Sequence, residues 1–225
     1  MLDNLIVPVL NRYDLLQRML DSVDVPVAHL LIIDNGASSH PDGGPVKTLQ
    51  LSDLFSEVTY LPMPANLGVA ASWNLGIKSF PYANRWFFAS NDVVFGPGTL
   101  GELSEAREDV ITLCGLAPFW QTFSLGYEAV RALGLFDEGF FPAYFEDNDF
   151  MRRADHAGVE MVKLDLDVWH DNSSTLRSDP VFRARNSATF AKNQEYYSNK
   201  ISNADFGSGG WSVELRRLNG WESGR

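Results

Sequence analysis

Three carboxylates lie within four residues of one another in the second half of the chain, and they are the clearest candidates for chemistry. Glu146, Asp147 and Asp149 follow an aromatic run and precede the pair Arg152–Arg153. Carboxylates this close raise one another's pKa, and such clusters are typical of sites that move a proton or bind a metal or a cation. The same residues also suit the first turn of a helix, where negative charge is favourable. The cluster alone leaves both interpretations open.

Other polar residues follow predicted strands. Short apolar runs alternate with helical patterns, which predicts an α/β fold with a mostly parallel sheet flanked by helices. Ligands of such sheets bind beyond the carboxyl ends of the strands. Asn11, Asp34 and Asp92 each come just after a strand, so we expect them to share one crevice. The strand runs are 5–10, 29–33, 58–62, 86–89 and 110–113.

The pattern changes after residue 115. It predicts a strand over 123–126, a short helix over 127–133 and a helix from the acidic run to about Ala157. An alternating, half-buried strand over 162–169 ends on His170, and a helix begins at Pro180 and ends near Tyr197. We therefore expect a single domain over 1–200, in which a mixed β region with a C-terminal helix covers 116–200. Glycine and serine then dominate a tail over 201–225.

Composition excludes several classes of protein. The net charge of −11 argues against an electrostatic grip on nucleic acid, which needs Lys and Arg. The single cysteine, Cys114, permits no intrachain disulfide and no cysteine-based metal site. Neither a signal peptide nor an apolar run long enough for a membrane span is present. We expect a soluble, cytoplasmic protein.

Asp92 and His170 are the candidate metal ligands. Each follows a predicted strand, and one carboxylate with one imidazole is enough for Mn²⁺ or Mg²⁺ if substrate phosphates complete the coordination shell. His170 taken alone is better explained as a structural histidine. Its pairing with Asp92 and with the acidic run favours a ligand.

Several short motifs occur in a fixed order between Leu5 and about Lys200. They are Val7-Pro8-Val9-Leu10-Asn11-Arg12, Ile32-Ile33-Asp34-Asn35-Gly36, Asn66-Leu67-Gly68 with Asn74-Leu75-Gly76, Ser90-Asn91-Asp92, Gly134 to Asp149, Trp169-His170 with Ser173-Ser174, and Arg185-Asn186 with Tyr196-Tyr197. This series resembles the family 2 type of nucleotide-sugar glycosyltransferases, which have the GT-A fold.

The resemblance implies an inverting transfer of a sugar from a nucleoside-diphosphate sugar to an acceptor hydroxyl. Residues 1–115 would then form the half that binds the nucleotide sugar, and residues 116–200 the acceptor and catalytic half. Asp147 takes the place of the general base, with Phe145, Glu146 and Asp149 on the acceptor side. The implied donor-binding residues are Pro8, Val9, Asn11, Arg12, Asp34, Asn66, Gly68, Asn74, Asn91 and Asp92.

Both substrates are only partly defined by the sequence. A UDP- or dTDP-sugar is the favoured donor, and a divalent metal at Asp92 and His170 is the implied cofactor. The acceptor is a saccharide, a protein side chain or a modified nucleobase. Phe141, Tyr144 and Phe145 are equally well explained as an apolar wall for a sugar ring and as core packing.

One departure from the family keeps two alternatives open. Ser90 stands where the family's D-x-D motif has its first acid, which weakens the metal site and favours a non-catalytic sugar-binding relative. A nucleotidyltransferase would also use metal-bound acids on a parallel sheet. It usually has a glycine-rich first loop, however, and the loop that begins at Asn11 has no glycine.

Overall fold

The computed structural model describes residues 1–40, 44–115, 119–171 and 180–207, with the side chains of 180–186 outside that description. Ser173, Ser174, the side chains of Arg185 and Asn186, and the tail from residue 208 onward therefore lie outside the described residues. The strands are β1 (Leu5–Val9), β2 (Val27–Asp34), β3 (Phe55–Pro62), β4 (Arg85–Ala89), β5 (Val93–Phe95), β6 (Ile111–Cys114), β7 (Thr122–Gly126), β8 (Met161–Leu164) and β9 (Val168–His170).

Helices separate most of these strands. Short 3-10 helices span Ala37–Ser39, Pro45–Thr48 and Phe119–Gln121. The α-helices are α1 (Tyr13–Asp21), α2 (Val69–Ser79), α3 (Thr99–Leu103), α4 (Tyr127–Leu133), α5 (Glu146–Ala157) and α6 (Pro180–Ser202). Among the residues described, no helix is long and apolar enough to cross a membrane.

Seven strands form one sheet in the order β3-β2-β1-β4-β7-β6-β8. The first four are parallel to one another, β7 runs antiparallel to both of its neighbours, and β8 is parallel to β6. The predicted α/β class with a mostly parallel sheet is confirmed. Because β1, β2 and β4 are parallel, the residues that follow them lie at one edge of the sheet.

The two faces of this sheet bury different residues of the same strands. Alternate side chains of a strand point to opposite faces, and in β1 Leu5 and Val7 join one apolar cluster while Ile6 joins the other. Helices α1 and α3 pack on the first face, and α2, α4 and α5 pack on the second. The apolar face of α2 packs on the sheet through Trp73 and Ile77, which are four residues apart and both buried.

The strand predicted over 162–169 is in fact two strands in different sheets. β8 pairs with β6 in the large sheet, whereas β9 pairs with β5 in a separate two-stranded sheet. The chain turns between them, where the amide of Gly96 donates to the carbonyl of Asp167 at 2.7 Å. The apolar alternation continues through this break because Leu164, Leu166 and Val168 all pack against the same cluster.

Candidate functional site

Asp92 and His170 are in contact at the small sheet. Strands β5 and β9 pair with Val93 opposite His170, and the amide of Asp171 donates to the carbonyl of Asp92 at 3.0 Å. This pairing places Nε2 of His170 3.1 Å from Oδ1 of Asp92. The two side chains are 19% and 13% exposed, so an ion or a phosphate can approach them from solvent. The structure thus brings the two residues together, and their predicted role as metal ligands stays a prediction.

The pair fits two positions of a divalent cation. Two adjacent ligands of an octahedral ion with bonds of about 2.1 Å lie about 3.0 Å apart, close to the 3.1 Å found here. Imidazole nitrogen and carboxylate oxygen both suit Mn²⁺. Within the described ranges, no group of three or more His, Cys, Asp or Glu side chains is arranged to hold a metal. An ion at this pair would therefore take its other ligands from substrate phosphates and water.

The loop between β1 and α1 carries Arg12, which lies near Asp92. Arg12 donates to Asp14 through two nitrogens, at 2.9 and 2.8 Å, and this bond raises the pKa of its guanidinium, with smaller contributions from the charges of Asp171 and Asp92. The side-chain amide of Asn91 donates to the carbonyls of Asn11 and Arg12, at 3.1 and 3.3 Å. Asn91 thus ties the loop to the end of β4, and the predicted role of Arg12 in donor binding stays a prediction.

Asp34 ends β2 and is almost fully buried. Oδ1 accepts from the hydroxyl of Tyr13 at 2.8 Å and from the amide of Gly36 at 2.9 Å, and Oδ2 accepts from the hydroxyl of Tyr60 at 2.7 Å. Burial and the bond to Asp34 raise the pKa of Tyr60 to about 12 and raise that of Tyr13 further. The contact of Asp34 with a nucleotide stays a prediction, and it would share or replace one of these bonds.

The remaining donor-side residues differ in exposure. Pro8 is half-buried and Val9 is buried, opposite Ile33 and Asp34 in the sheet. Asn66 accepts from the amide of Gly68 at 2.9 Å, which forms the turn that begins α2. None of these contacts involves a ligand, so the predicted roles of these residues stay predictions.

Asn74 and Gly68 connect the donor half to the segment ahead of the acidic run. Asn74 is buried, donates to the carbonyl of Phe136 at 2.9 Å and to Glu138 at 2.8 Å, and accepts from the amide of Phe136 at 2.9 Å. Gly68 has φ 83°, and a Cβ there would lie 2.8 Å from the carbonyl oxygen of Pro142. Both residues therefore hold the segment over 136–142 against α2, a structural role beside their predicted contact with the donor.

The three clustered carboxylates occupy three different environments. Glu146 is buried, and desolvation, with a smaller contribution from the charge of Asp147, raises its pKa to about 8. Asp147 is half-buried, and desolvation raises its pKa too. Asp149 is fully buried and pairs with Arg153 at 2.8 Å and with Lys200 at 3.1 Å. The predicted start of a helix at this point is confirmed, since all three lie in the first turn of α5.

These environments suggest different roles. Glu146 keeps its proton at neutral pH and is a poor base. Asp149 is held by cations inside the protein, which gives it a structural role and takes it away from an acceptor. Asp147 alone combines partial exposure with a raised pKa, the properties of a general base. Its predicted role is therefore consistent with the geometry, and it stays a prediction.

Helix α6 braces the acidic segment, and sequence analysis missed most of this contact. The residues of its inner face each touch the segment over 137–149. Asn193 donates to the carbonyl of Ala143 at 2.8 Å, and Nζ of Lys200 lies 2.5 Å from Asp137 and 3.1 Å from Asp149. The inner face comprises Phe190, Asn193, Tyr196, Tyr197 and Lys200. Their spacing of three or four residues is the signal from which this face could have been found.

Comparisons with known proteins define the fold. No protein-family model matches the chain, and no curated protein matches it. Among solved structures, the chain is similar to S. aureus TarS 1–349 in complex with UDP, with 15% identity, a TM-score of 0.51 and coverage of 73% of this chain and 58% of TarS. This likeness shows the fold alone. The fold is GT-A-like, as the motif series predicts.

Two further solved structures give TM-scores just below that value. The mannosyltransferase PcManGT from Pyrobaculum calidifontis, in complex with GDP-Man and Mn²⁺, shares 16% identity over 72% of this chain and 54% of its own, with a TM-score of 0.49. A second structure of S. aureus TarS 1–349 shares 13% identity over 73% and 58%, also with a TM-score of 0.49. The chain thus spans little more than half the length of the proteins that it matches.

Proposed function

We propose that this chain is an inverting glycosyltransferase that moves a sugar from a nucleoside-diphosphate sugar to an acceptor hydroxyl. The observation that carries the proposal is the contact between Asp92 and His170. This contact lies beside the carboxyl ends of parallel strands in a GT-A-like sheet. The neighbouring Asn91 donates hydrogen bonds to the carbonyls of Asn11 and Arg12, in the loop that follows β1. The UDP bound to TarS supports a uridine nucleotide as the donor carrier.

The donor's diphosphate is the group that Asp92, His170 and Arg12 suit. Mn²⁺ or Mg²⁺, when bound, neutralises the charge that develops on the departing nucleoside diphosphate. Arg12 adds a fixed positive charge that shares the crevice with Asp92, whose charge in turn contributes to the raised pKa of Arg12. Asn91 keeps the first loop in place through its two backbone contacts.

Asp147 is the proposed general base. The acceptor oxygen attacks the anomeric carbon, the bond from that carbon to the phosphate oxygen breaks, and the hydroxyl proton passes to Asp147. Attack from the face opposite the leaving group inverts the anomeric centre. The desolvation that raises the pKa of Asp147 makes the carboxylate a stronger base than an exposed aspartate.

A sugar-binding protein without turnover is the second candidate. Ser90, at the place of an acid, favours it. The amide of Ser90 donates to the carbonyl of Gln121 at 2.7 Å, which fixes the backbone at this position. The motif Ser90-Asn91-Asp92 therefore offers a metal only one carboxylate, that of Asp92. A turnover measurement separates the two candidates, because both bind nucleotide sugars.

Metal-dependent nucleotide binding is the first test of the proposal. Thermal unfolding is measured with UDP, dTDP and GDP, each with Mn²⁺ and with EDTA. A ligand at about 100 times its Kd stabilises the folded state by about 2.7 kcal/mol, or roughly 5 °C or more for a chain of this size. We expect such a shift for at least one nucleotide with Mn²⁺, and a smaller one with EDTA.

Two variants and a matched control locate the site. Asp92→Ala and His170→Ala should each reduce the Mn²⁺-dependent part of the shift. His29 forms a similar pair with Glu57, at 3.2 Å, near the amino end of β2, so His29→Ala should leave the shift unchanged. Equal shifts with Mn²⁺ and EDTA would show a metal-free site, and no shift with any nucleotide would refute the proposal.

A further inference from the structure

One exposed and several partly buried aromatic side chains meet between α6 and the residues that precede α5. Phe190 of α6 is 40% exposed, and its ring centroid lies 5.3 Å from that of Tyr144 and 5.1 Å from that of Phe145. Phe145 also stacks on Tyr197, at 5.6 Å and an interplanar angle of 30°. Exposed apolar patches on a folded protein commonly mark binding sites.

The backbone that presents these rings is strained. Tyr144 and Phe145 have φ angles of 78° and 73°, in the left-handed region that bulky side chains rarely adopt. Strain of this kind persists only where surrounding contacts hold it, and it is concentrated at functional sites. Here Asn193 supplies such contacts, because its amide donates to the carbonyls of Ala143 and Tyr144, at 2.8 and 3.3 Å.

The rings adjoin the proposed base along the chain. Phe145 is the residue that immediately precedes α5, and Asp147 lies in the first turn of that helix. A molecule stacked on Phe145 would therefore lie next to the first turn of α5, which carries the proposed base. Desolvation raises the pKa of Tyr197, on which Phe145 stacks, and the charge of Asp147 makes a smaller contribution, so the aromatic group and the proposed base are close together.

The charged side chains near these rings indicate which kind of ligand could bind there. In the part of the chain that the structure describes, Arg152, Arg153 and Lys200 near this surface are each bonded to the protein's own oxygen atoms. Arg153 pairs with Asp149, Lys200 pairs with Asp137 and Asp149, and Arg152 donates to the carbonyl of Asp205. Because the proposed base must be ionised to accept a proton, this surface favours a neutral ligand over a phosphate-bearing one.

We propose that Phe190, with Tyr144 and Phe145, forms the stacking surface for a neutral saccharide acceptor. The proposal rests on the proposed function and selects one of the three acceptor classes. A sugar ring presents C–H groups on its face and hydroxyls at its edge, so it can stack on the electron-rich face of an aromatic ring while one hydroxyl meets Asp147. A serine or threonine side chain has the hydroxyl but no ring.

Saturation-transfer NMR on the full chain tests the proposal without requiring turnover. The probes are the methyl α- and β-glycosides of glucose, galactose, mannose and N-acetylglucosamine, recorded with UDP and diamagnetic Mg²⁺ present. We expect transfer to the C–H protons of one ring face for at least one glycoside. Uridine and geranyl phosphate serve as probes for a nucleobase and for a lipid.

Two substitutions on α6 provide the comparison. Phe190→Ala should weaken glycoside binding about two- to tenfold, the range expected for one aromatic contact, and Phe190→Trp should retain it. Ile201 is 50% exposed on the same helix, so Ile201→Ala should bind like the wild type.

Each outcome decides the question. The proposal is overturned if no glycoside shows transfer, if only uridine or geranyl phosphate does, or if Phe190→Ala binds glycosides as well as Ile201→Ala does. Nucleotide binding measured on the same samples separates this proposal from the wider one. UDP binding without a glycoside response refutes only the stacking surface, whereas a glycoside response without binding of any nucleotide refutes the donor site.

Discussion

Three neighbouring carboxylates with the same chemistry in solution behave differently in this fold. Glu146 is neutral, Asp147 is half-exposed, and Asp149 is part of a buried ion cluster. The sequence shows that the three are crowded together. It does not show this division, which depends on the distant Lys200 and on how much of α5 is covered.

Replacing Asp147 separates binding from chemistry. Asp147→Asn keeps the shape of the side chain and removes its basicity, so we expect turnover of a nucleotide sugar to fall by about 100-fold or more, with nucleotide affinity nearly unchanged. Release of nucleoside diphosphate and thermal shift measure the two properties. Asp155→Asn, an exposed position on the same helix, is the control, and retained turnover in Asp147→Asn would assign the base elsewhere.

Glu146 should make stability depend on pH. Its folded-state pKa of about 8 lies above the ordinary 4.5, so between these values the unfolded chain loses a proton that the folded chain retains. Its contribution to stability is therefore complete below about pH 4.5 and is lost as pH rises towards 8. Glu146→Gln has no proton to lose.

The comparison is made by thermal unfolding between pH 5 and pH 8.5. We expect the melting temperature of the wild type to fall, relative to that of Glu146→Gln, by several degrees over this range. Glu195→Gln, at an exposed site on α6, should follow the wild type. Parallel curves for the wild type and Glu146→Gln would show that Glu146 is not neutral in the folded protein.

At the scale of elements, α6 determines where the acidic segment lies. Its inner face contacts both ends of that segment, at Asp137 and Asp149, through the single amine of Lys200. The sequence predicts the helix itself but not its partner, because the partner lies in a loop far away in the chain. The small sheet was missed for a related reason, since the apolar alternation continues through the break between β8 and β9.

Lys200 should therefore stabilise the protein well beyond an ordinary surface lysine. Lys200→Met leaves Asp137 and Asp149 buried without this partner, and removal of one member of a buried ion pair costs about 3 to 5 kcal/mol. Denaturant unfolding measures the loss. Lys192→Met, exposed on the same helix, should change the free energy of unfolding by about 0.5 kcal/mol or less, and equal values for the two variants would refute the bracing role.

At the scale of the whole molecule, the sequence predicts the architecture well. The parallel strands and the acids at their carboxyl ends follow from strand order and from the geometry of parallel sheets. The meeting of Asp92 with His170 does not, because it depends on the antiparallel pairing of β5 with β9. What the sequence does not predict is which polar groups are satisfied internally. Asp34 and Asn74 resemble residues that face the donor, yet their hydrogen bonds are made within the protein.

The central claim is tested most directly by incubating the protein with diamagnetic Mg²⁺ and a panel of UDP-, dTDP- and GDP-sugars and following the products by ¹H NMR. We predict release of the nucleoside diphosphate from at least one donor. The first-formed sugar, whether passed to water or to an added glycoside, should carry the anomeric configuration opposite to that of the donor. Release of no nucleoside diphosphate from any donor, or a first-formed product with the donor's own configuration, would contradict an inverting glycosyltransferase.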